Sequence, residues 1–223
     1  MSEIHYQGRP ARREGSEQRR RSILEAALRI IVREGIRNVR HRAVAKEADV
    51  PLSATTYYFK DISDLIADTF TLFAEQALVE VVEPFRLQIF AAMEQFESQR
   101  SVEPTAVEKL LELLTDMTSM FLYQESRERR DHLIAEQAFM QEAVLDARLR
   151  DLALIYTSKL VEVLYKACDK LGTPEPSKDA QLIWAGIVNL EHRLLIDETF
   201  DQEQLRASVY HMLKLFLPIG VHA

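Results

Sequence analysis

The densest group of residues able to do chemistry is the run Leu52-Ser53-Ala54-Thr55-Thr56-Tyr57-Tyr58-Phe59-Lys60, preceded by Arg40, Arg42 and Lys46. Hydroxyl side chains donate to phosphate oxygens and base edges, and small side chains let a backbone come close. Guanidinium and ammonium groups meet phosphates. At helical spacing Val44, Ala45, Ala48, Val50, Thr55 and Phe59 share a core, which leaves Leu52, Ser53, Ala54, Thr56, Tyr57 and Tyr58 facing outward. Two tyrosines and two hydroxyl residues on the open face of so short a helix suit one whose N-terminal end enters a DNA major groove. The alternative is that the tyrosines pack on the next helix. In the first reading Ser53, Ala54 and Tyr57 reach base edges, and Arg42, Thr56, Tyr58 and Lys60 reach phosphates. Arg40, Lys46 and Leu52 complete the surface.

Other reactive spacings are sparse. His132 and Glu136, four apart on one helix face, could ligate a metal, but such an exposed pair is ordinarily just solvated; Glu191-His192 is weaker. There is no Gly-rich phosphate loop, no Gly-x-Ser-x-Gly and no zincin histidine pair. An enzyme, a metal site and a cofactor are therefore not expected. The single Cys168 excludes a disulfide framework and is expected to be a small buried apolar residue.

The elements that must position the hydroxyl-rich run are helical. Six glycines and seven prolines in 223 residues leave long stretches without the punctuation that hairpins need. A first helix is expected from Ser16, as N-cap, to Glu34, stopped by Gly35. Short helices follow at about 41–48 and 52–59, joined at Asp49-Val50-Pro51. Asp49 tolerates the positive φ that this turn requires, and Pro51 suits a helix entrance. This is a helix-turn-helix. Asp61 with Asp64 resembles the cap of a helix from Ile62 into the nineties, kinked or split by Pro84. Further helices are expected at about 105–124, 127–142, 145–171, 178–197 and 202–217.

In these residues the chain resembles the TetR family of bacterial regulators. The resemblance covers about residues 20–66. It rests on Ile23-Leu24-Glu25-Ala26-Ala27 with Gly35, on Arg42, Val44-Ala45 and Glu47-Ala48, and on Val50, Tyr57-Tyr58-Phe59 and Asp64-Leu65. There are departures. Arg40 stands where Ser or Thr usually caps the second helix, Asp49 replaces a Gly, Thr56 a Tyr, and Ile62 a Lys. Lys60 and Arg40 stand as replacement phosphate contacts. The resemblance implies a near-palindromic double-stranded DNA operator, a homodimer, a small largely apolar effector, and repression as the default mode.

The charge is split. Residues 1–60 hold 13 Lys and Arg against 7 Asp and Glu, and the remainder 15 against 28. A basic front on an acidic body fits a protein that touches phosphate at one end. It argues against an all-helical adaptor whose helix-turn-helix is vestigial. The expected organisation is all-α: a flexible basic arm over 1–15, a helix-turn-helix domain over 16–62, and a helical regulatory and dimerisation domain over 63–223. No signal peptide or membrane span is evident, so the expected location is the cytoplasm.

In the second domain the last two helices carry doubled apolar stripes. Ile183, Ile187, Leu190 and Leu194, with Leu205, Val209, Met212 and Phe216, are expected at a dimer interface. Phe70, Phe73, Met117, Met120, Phe121, Tyr156 and Trp184 are expected to line an effector pocket. A buried Arg148 or Arg193 would let that pocket take an anion.

Overall fold

The computed structural model describes residues 6–8, 14–99 and 106–216. No strand occurs among them. The helices are α1 (Glu14–Glu34), α2 (His41–Glu47), α3 (Leu52–Tyr58), α4 (Ile62–Gln76), α5 (Glu83–Gln99), α6 (Ala106–Glu128), α7 (Arg130–Ala143), α8 (Ala147–Leu171), α9 (Pro176–Ile196) and α10 (Gln202–Phe216). A 3-10 turn, Ile36–Asn38, precedes α2. The chain forms two compact units, Met1–Leu78 with Asp131–Thr157, and Val79–Arg130 with Ser158–Ala223. This division groups α4, which packs on α1, and α7, whose Phe139 meets Phe70 and Phe73 of α4, with the first three helices.

Local chemistry explains the helix ends. Gly35, at φ +84°, ends α1. Asp49 takes φ +51° at the turn between α2 and α3, and the Val50 N–H closes that turn on the Ala45 carbonyl at 3.0 Å. The Asp61 carboxylate accepts from the Asp64 N–H at 2.8 Å and caps α4. Arg40 occupies the N-cap of α2 without a side-chain capping bond. Ser16 is not a cap, because α1 begins two residues earlier; its hydroxyl meets that of Tyr58 at 2.8 Å instead. The long helix expected after Ile62 is split by a π-helical stretch, Ala77–Val82, just before Pro84. Pro84 has no N–H to give the Glu80 carbonyl, and the Arg129 guanidinium donates there at 3.4 Å.

In the first unit Ile23, Leu24, Ala27 and Ile31 of α1 meet Val44 of α2, Phe59 and Leu65, all at most 1% exposed. In the second unit α10 packs on α6 and α9. Leu205 and Val209 are fully buried there with Leu122, Leu190 and Phe200, each such side chain contributing about 1.5–3 kcal/mol. Arg206 ties α10 to Glu112 and Asp116 of α6 at 2.5 and 2.7 Å. Gly186 permits the crossing of α9 and α10, since a Cβ there would overlap the Met212 sulfur. Cys168 is buried beside Ala180 and Ile183, and burial pushes its thiol up to about 11.

Candidate functional site

The open face of α3 presents Leu52 and Tyr57, 43% and 54% exposed, with Ser53 and Thr56; Ala54 is half-buried. Lys60 follows, exposed. The Thr56 hydroxyl turns back to the Ser53 and Leu52 carbonyls at 3.3 and 3.4 Å. Tyr58 is a correction: it is 6% exposed, its ring meets Tyr57 edge-on, and its hydroxyl is held by Ser16. It belongs to the core and not to a phosphate-facing set.

Arg40, Arg42 and Lys46 are exposed, and among the described residues these three and Lys60 enter no ion pair. Neighbouring cations behave differently. Arg29 and Arg33 of α1 both clasp Glu47 of α2, at 2.9 and 3.1 Å. Their hydrogen bonds hold the Glu47 carboxyl below its usual range. Glu47 thus serves α1–α2 packing, while four cations around α2 and α3 keep their charge for an external anion.

A second feature lies behind this surface. Asp68 of α4 and Arg20 of α1, both buried, pair at 2.6 Å. The Asp68 carboxylate also accepts from the backbone N–H groups of Gln7 and Gly8, at 2.5 and 2.9 Å. The Arg20 guanidinium lies 4.2 Å from the centre of the Tyr6 ring and bonds Glu17 at 3.2 Å, although its Nε is buried without a partner. The Tyr6 hydroxyl donates to Glu75 at 2.6 Å; burial first, then Glu75, raises its pKa. Tyr6–Gly8 is therefore docked, which corrects the flexible arm expected over 1–15; residues 1–5 and 9–13 lie outside the described residues, and 14–15 belong to α1. Asp68 had a sequence signal, a charge inside the apolar run Leu65–Phe73.

Residues 23–69 match the profile of the bacterial regulatory proteins of the tetR family. Residues 23–69 thus carry the DNA-binding domain of this family. No curated protein sequence matches it. Solved structures share the fold. A transcriptional regulator from Rhodococcus sp. Rha1 superposes with TM-score 0.64 at 17% identity, over 88% of this chain and 95% of that one. A TetR-family member from Streptomyces coelicolor A3 gives 0.58 at 22%, over 87% and 98%. A regulator from Saccharomonospora viridis in complex with choline gives 0.60 at 18%, over 89% and 96%. With this TetR-type domain the chain is a DNA-binding transcription regulator, with Leu52–Tyr58 as the second helix of its helix-turn-helix.

The residues expected to line the effector pocket fall in both units. Phe70, Phe73 and Tyr156 belong to the first unit, and Met117, Met120, Phe121 and Trp184 to the second. Met120 is 53% exposed, and Phe121 stacks on Phe85 at 4.0 Å. In the first unit Phe70 stacks on Phe139 at 4.7 Å, and Phe73 lies between Phe139 and His132, at 5.5 and 4.5 Å. Tyr156 meets Phe70 and Phe73 edge-on near 6 Å, and its hydroxyl bonds the Glu136 carboxylate. Burial pushes Glu136 up to about 7, against that bond. His132 and Glu136 are both half-buried rather than exposed, and no group of three metal-binding side chains occurs among the described residues. Arg148 and Arg193 are not buried. Arg148 pairs with Asp64 at 3.0 Å and Arg193 with Asp197 at 3.2 Å, with side chains 56% and 47% exposed.

The expected dimer residues also move. Leu205, Val209, Ile183 and Leu190 are buried in the protomer's own core, and Ile187, Leu194, Met212 and Phe216 pack half-buried against the same clusters. What α9 leaves exposed is a different face: Leu182, Ala185, Asn189 and Ile196. Among the described residues no helix is long and apolar enough to cross a membrane.

Proposed function

We propose that this TetR-family regulator represses transcription by binding a near-palindromic operator as a homodimer, and that a small organic effector releases it. The observation that carries the reading is the exposed Leu52, Ser53, Thr56 and Tyr57 face of α3, flanked by four cations that enter no ion pair among the described residues. Ser53, Ala54 and Tyr57 read base edges; Arg40, Arg42, Lys46, Thr56 and Lys60 hold phosphates. The dimer forms through the exposed face of α9, where Leu182 and Ile196 are 59% and 67% open, together with Leu215 of α10. The chain acts by binding and carries no catalysis. It works in the cytoplasm, and residues after the helix-turn-helix serve regulation and dimerisation. That a similarly folded regulator holds choline supports an organic effector.

Selection of bound DNA from a random pool tests this reading. Two-fold symmetric sites are expected, with half-site centres about 34–36 Å apart or slightly more. Arg42→Ala should weaken all sites alike and flatten the salt dependence, whereas Ser53→Ala should change sequence preference. Sites without two-fold symmetry, or a monomer at micromolar concentration, would overturn it.

A further inference from the structure

The DNA-facing helix α3 has seven residues, and a helix of two turns has no stability of its own. What holds its ends therefore decides where it points. At its start, the Val50 N–H closes the turn on the Ala45 carbonyl. At its end stand Tyr58, whose hydroxyl meets that of Ser16 on α1, and Phe59, which is fully buried. The Gly8 backbone lies against the Phe59 ring, so closely that a Cβ at Gly8 would stand 2.9 Å from it. The Arg20 guanidinium lies over the same ring, 5.9 Å from its centre.

Tyr6–Gly8 is itself fastened to two other helices. The Gln7 and Gly8 N–H groups donate to Asp68, and the Tyr6 hydroxyl donates to Glu75. Asp68 and Glu75 are seven residues apart, on one face of α4 and two turns from each other. The Tyr6 ring covers Arg20 of α1. Three residues thus touch α1, α4 and the residue that ends α3. In the chain Phe59 stands between Tyr57 and Tyr58 on one side and Lys60 on the other, so a shift of Phe59 carries the DNA-facing side chains with it. Base readout needs donors and acceptors in register with the base edges. Non-specific binding rests on phosphate charge and is indifferent to sequence.

We propose that Tyr6–Gly8 is a positioning strap for DNA reading: docked on α1 and α4, it fixes Phe59 and so sets the angle at which Ser53 and Tyr57 meet the bases. This rests on the reading of the α3 face as the base-reading surface. A segment that only stabilised the fold would change how much protein is folded. The strap changes how well the folded protein tells one DNA sequence from another.

The test titrates the full chain onto two duplexes of equal length, one selected by the wild-type protein from a random pool and one scrambled, at a temperature where circular dichroism shows each variant folded. Tyr6→Ala takes the ring from Arg20 and the hydroxyl from Glu75. Gly8→Ala removes no group that could touch DNA and only presses on Phe59 and Asp68. Each should weaken binding to the selected duplex tenfold or more and to the scrambled duplex less than twofold. Equal losses on both duplexes, or no loss, would show a merely structural segment and overturn the proposal. A loss in Tyr6→Ala without one in Gly8→Ala overturns the route through Phe59. A wild type that binds both duplexes alike overturns the base-reading face and the strap's role with it. A wild type that prefers the selected duplex while both variants keep that preference overturns the strap alone. Should Tyr6→Ala or Gly8→Ala not fold, Tyr6→Phe, which keeps the ring and loses only the Glu75 bond, is read instead. A preference reduced twofold or more, with faster amide exchange at Phe59, supports the strap; either one unchanged overturns it.

Discussion

Asp68 and Glu136 are carboxylates inside the same compact unit, and the protein treats them in opposite ways. Asp68 is surrounded by donors: the Arg20 guanidinium and the backbone N–H groups of Gln7 and Gly8. Glu136 has the Tyr156 hydroxyl and a set of aromatic rings. A saturated buried charge fixes geometry, because each donor would be stranded if it moved. The first lies where α1, α4 and the N-terminal segment meet behind the DNA-facing helix; the second lies on α7, one turn from Phe139.

The comparison is broken most severely at Asp68. Asp68→Asn leaves the buried Arg20 with only the exposed Glu17 as counterion, and removing one partner of a buried pair costs about 3–5 kcal/mol. Urea unfolding should show a loss of that size, with weaker operator binding. A loss below about 1 kcal/mol would mean that the network is not what holds α1 to α4.

Glu136→Gln should go the other way, with a pH signature. The folded protein raises this carboxyl from an ordinary 4.5 to about 7, so folding favours its protonated form. Its contribution is intact below pH 4.5 and is lost as pH rises from 4.5 through 7. At pH 8 the Gln variant should therefore be more stable than wild type by up to about 3 kcal/mol, with the gap closing towards pH 4.5. The titratable neighbours are Tyr156 on α8 and His132 on α7. A gap that does not change with pH would show that the carboxyl ionises as freely as one in water.

Gly8→Ala probes the first network without touching its charges. A Cβ there would lie 2.8 Å from the Asp68 carboxylate and 2.9 Å from the Phe59 ring, both in fully buried side chains. Overpacking of this kind costs about 1–3 kcal/mol. Removing residues 1–8 altogether should cost a similar amount, because it takes the Gln7 and Gly8 N–H donors from Asp68 and leaves it Arg20 alone. If Gly8→Ala is silent in unfolding and in operator binding, the docked Tyr6–Gly8 segment contributes nothing.

The DNA-reading part of the fold was legible because its signals are local. Asp49 at positive φ, the Asp61 cap and the outward Ser53, Thr56 and Tyr57 all follow from spacing within a few residues. Tyr58 was misplaced although 55, 58 and 59 lie on one helical face, the i, i+3, i+4 pattern that buries a side chain. The last two helices failed for another reason. A doubled apolar stripe shows that α9 and α10 are covered on two sides but not by what, and their own α6 covers Leu205 and Val209. The docking of Tyr6–Gly8 was invisible because its partner lies some sixty residues away in sequence. The desolvation of Glu136 depends likewise on α4 and α8 closing around α7, which spacing on α7 alone does not encode.

The finest distinction between the two carboxylates is the number of donors, and Tyr156→Phe tests it. At pH 8 the variant takes from Glu136 the hydroxyl that favours its charged form. A hydrogen bond to a charged group is worth about 1.5–3 kcal/mol, and one to a neutral group about 1 kcal/mol. At pH 5, where Glu136 is protonated, the cost of Tyr156→Phe should therefore be the smaller figure, and at pH 8 the larger. The same substitution made in Glu136→Gln should cost about 1 kcal/mol at both values, because the amide carries no charge to titrate. The difference between the two backgrounds at pH 8 is the coupling of this pair, free of whatever else Tyr156 does in the ring cluster. A coupling indistinguishable from zero would mean that Glu136 turns away from Tyr156 in solution, and the contrast with Asp68 would then reduce to burial alone.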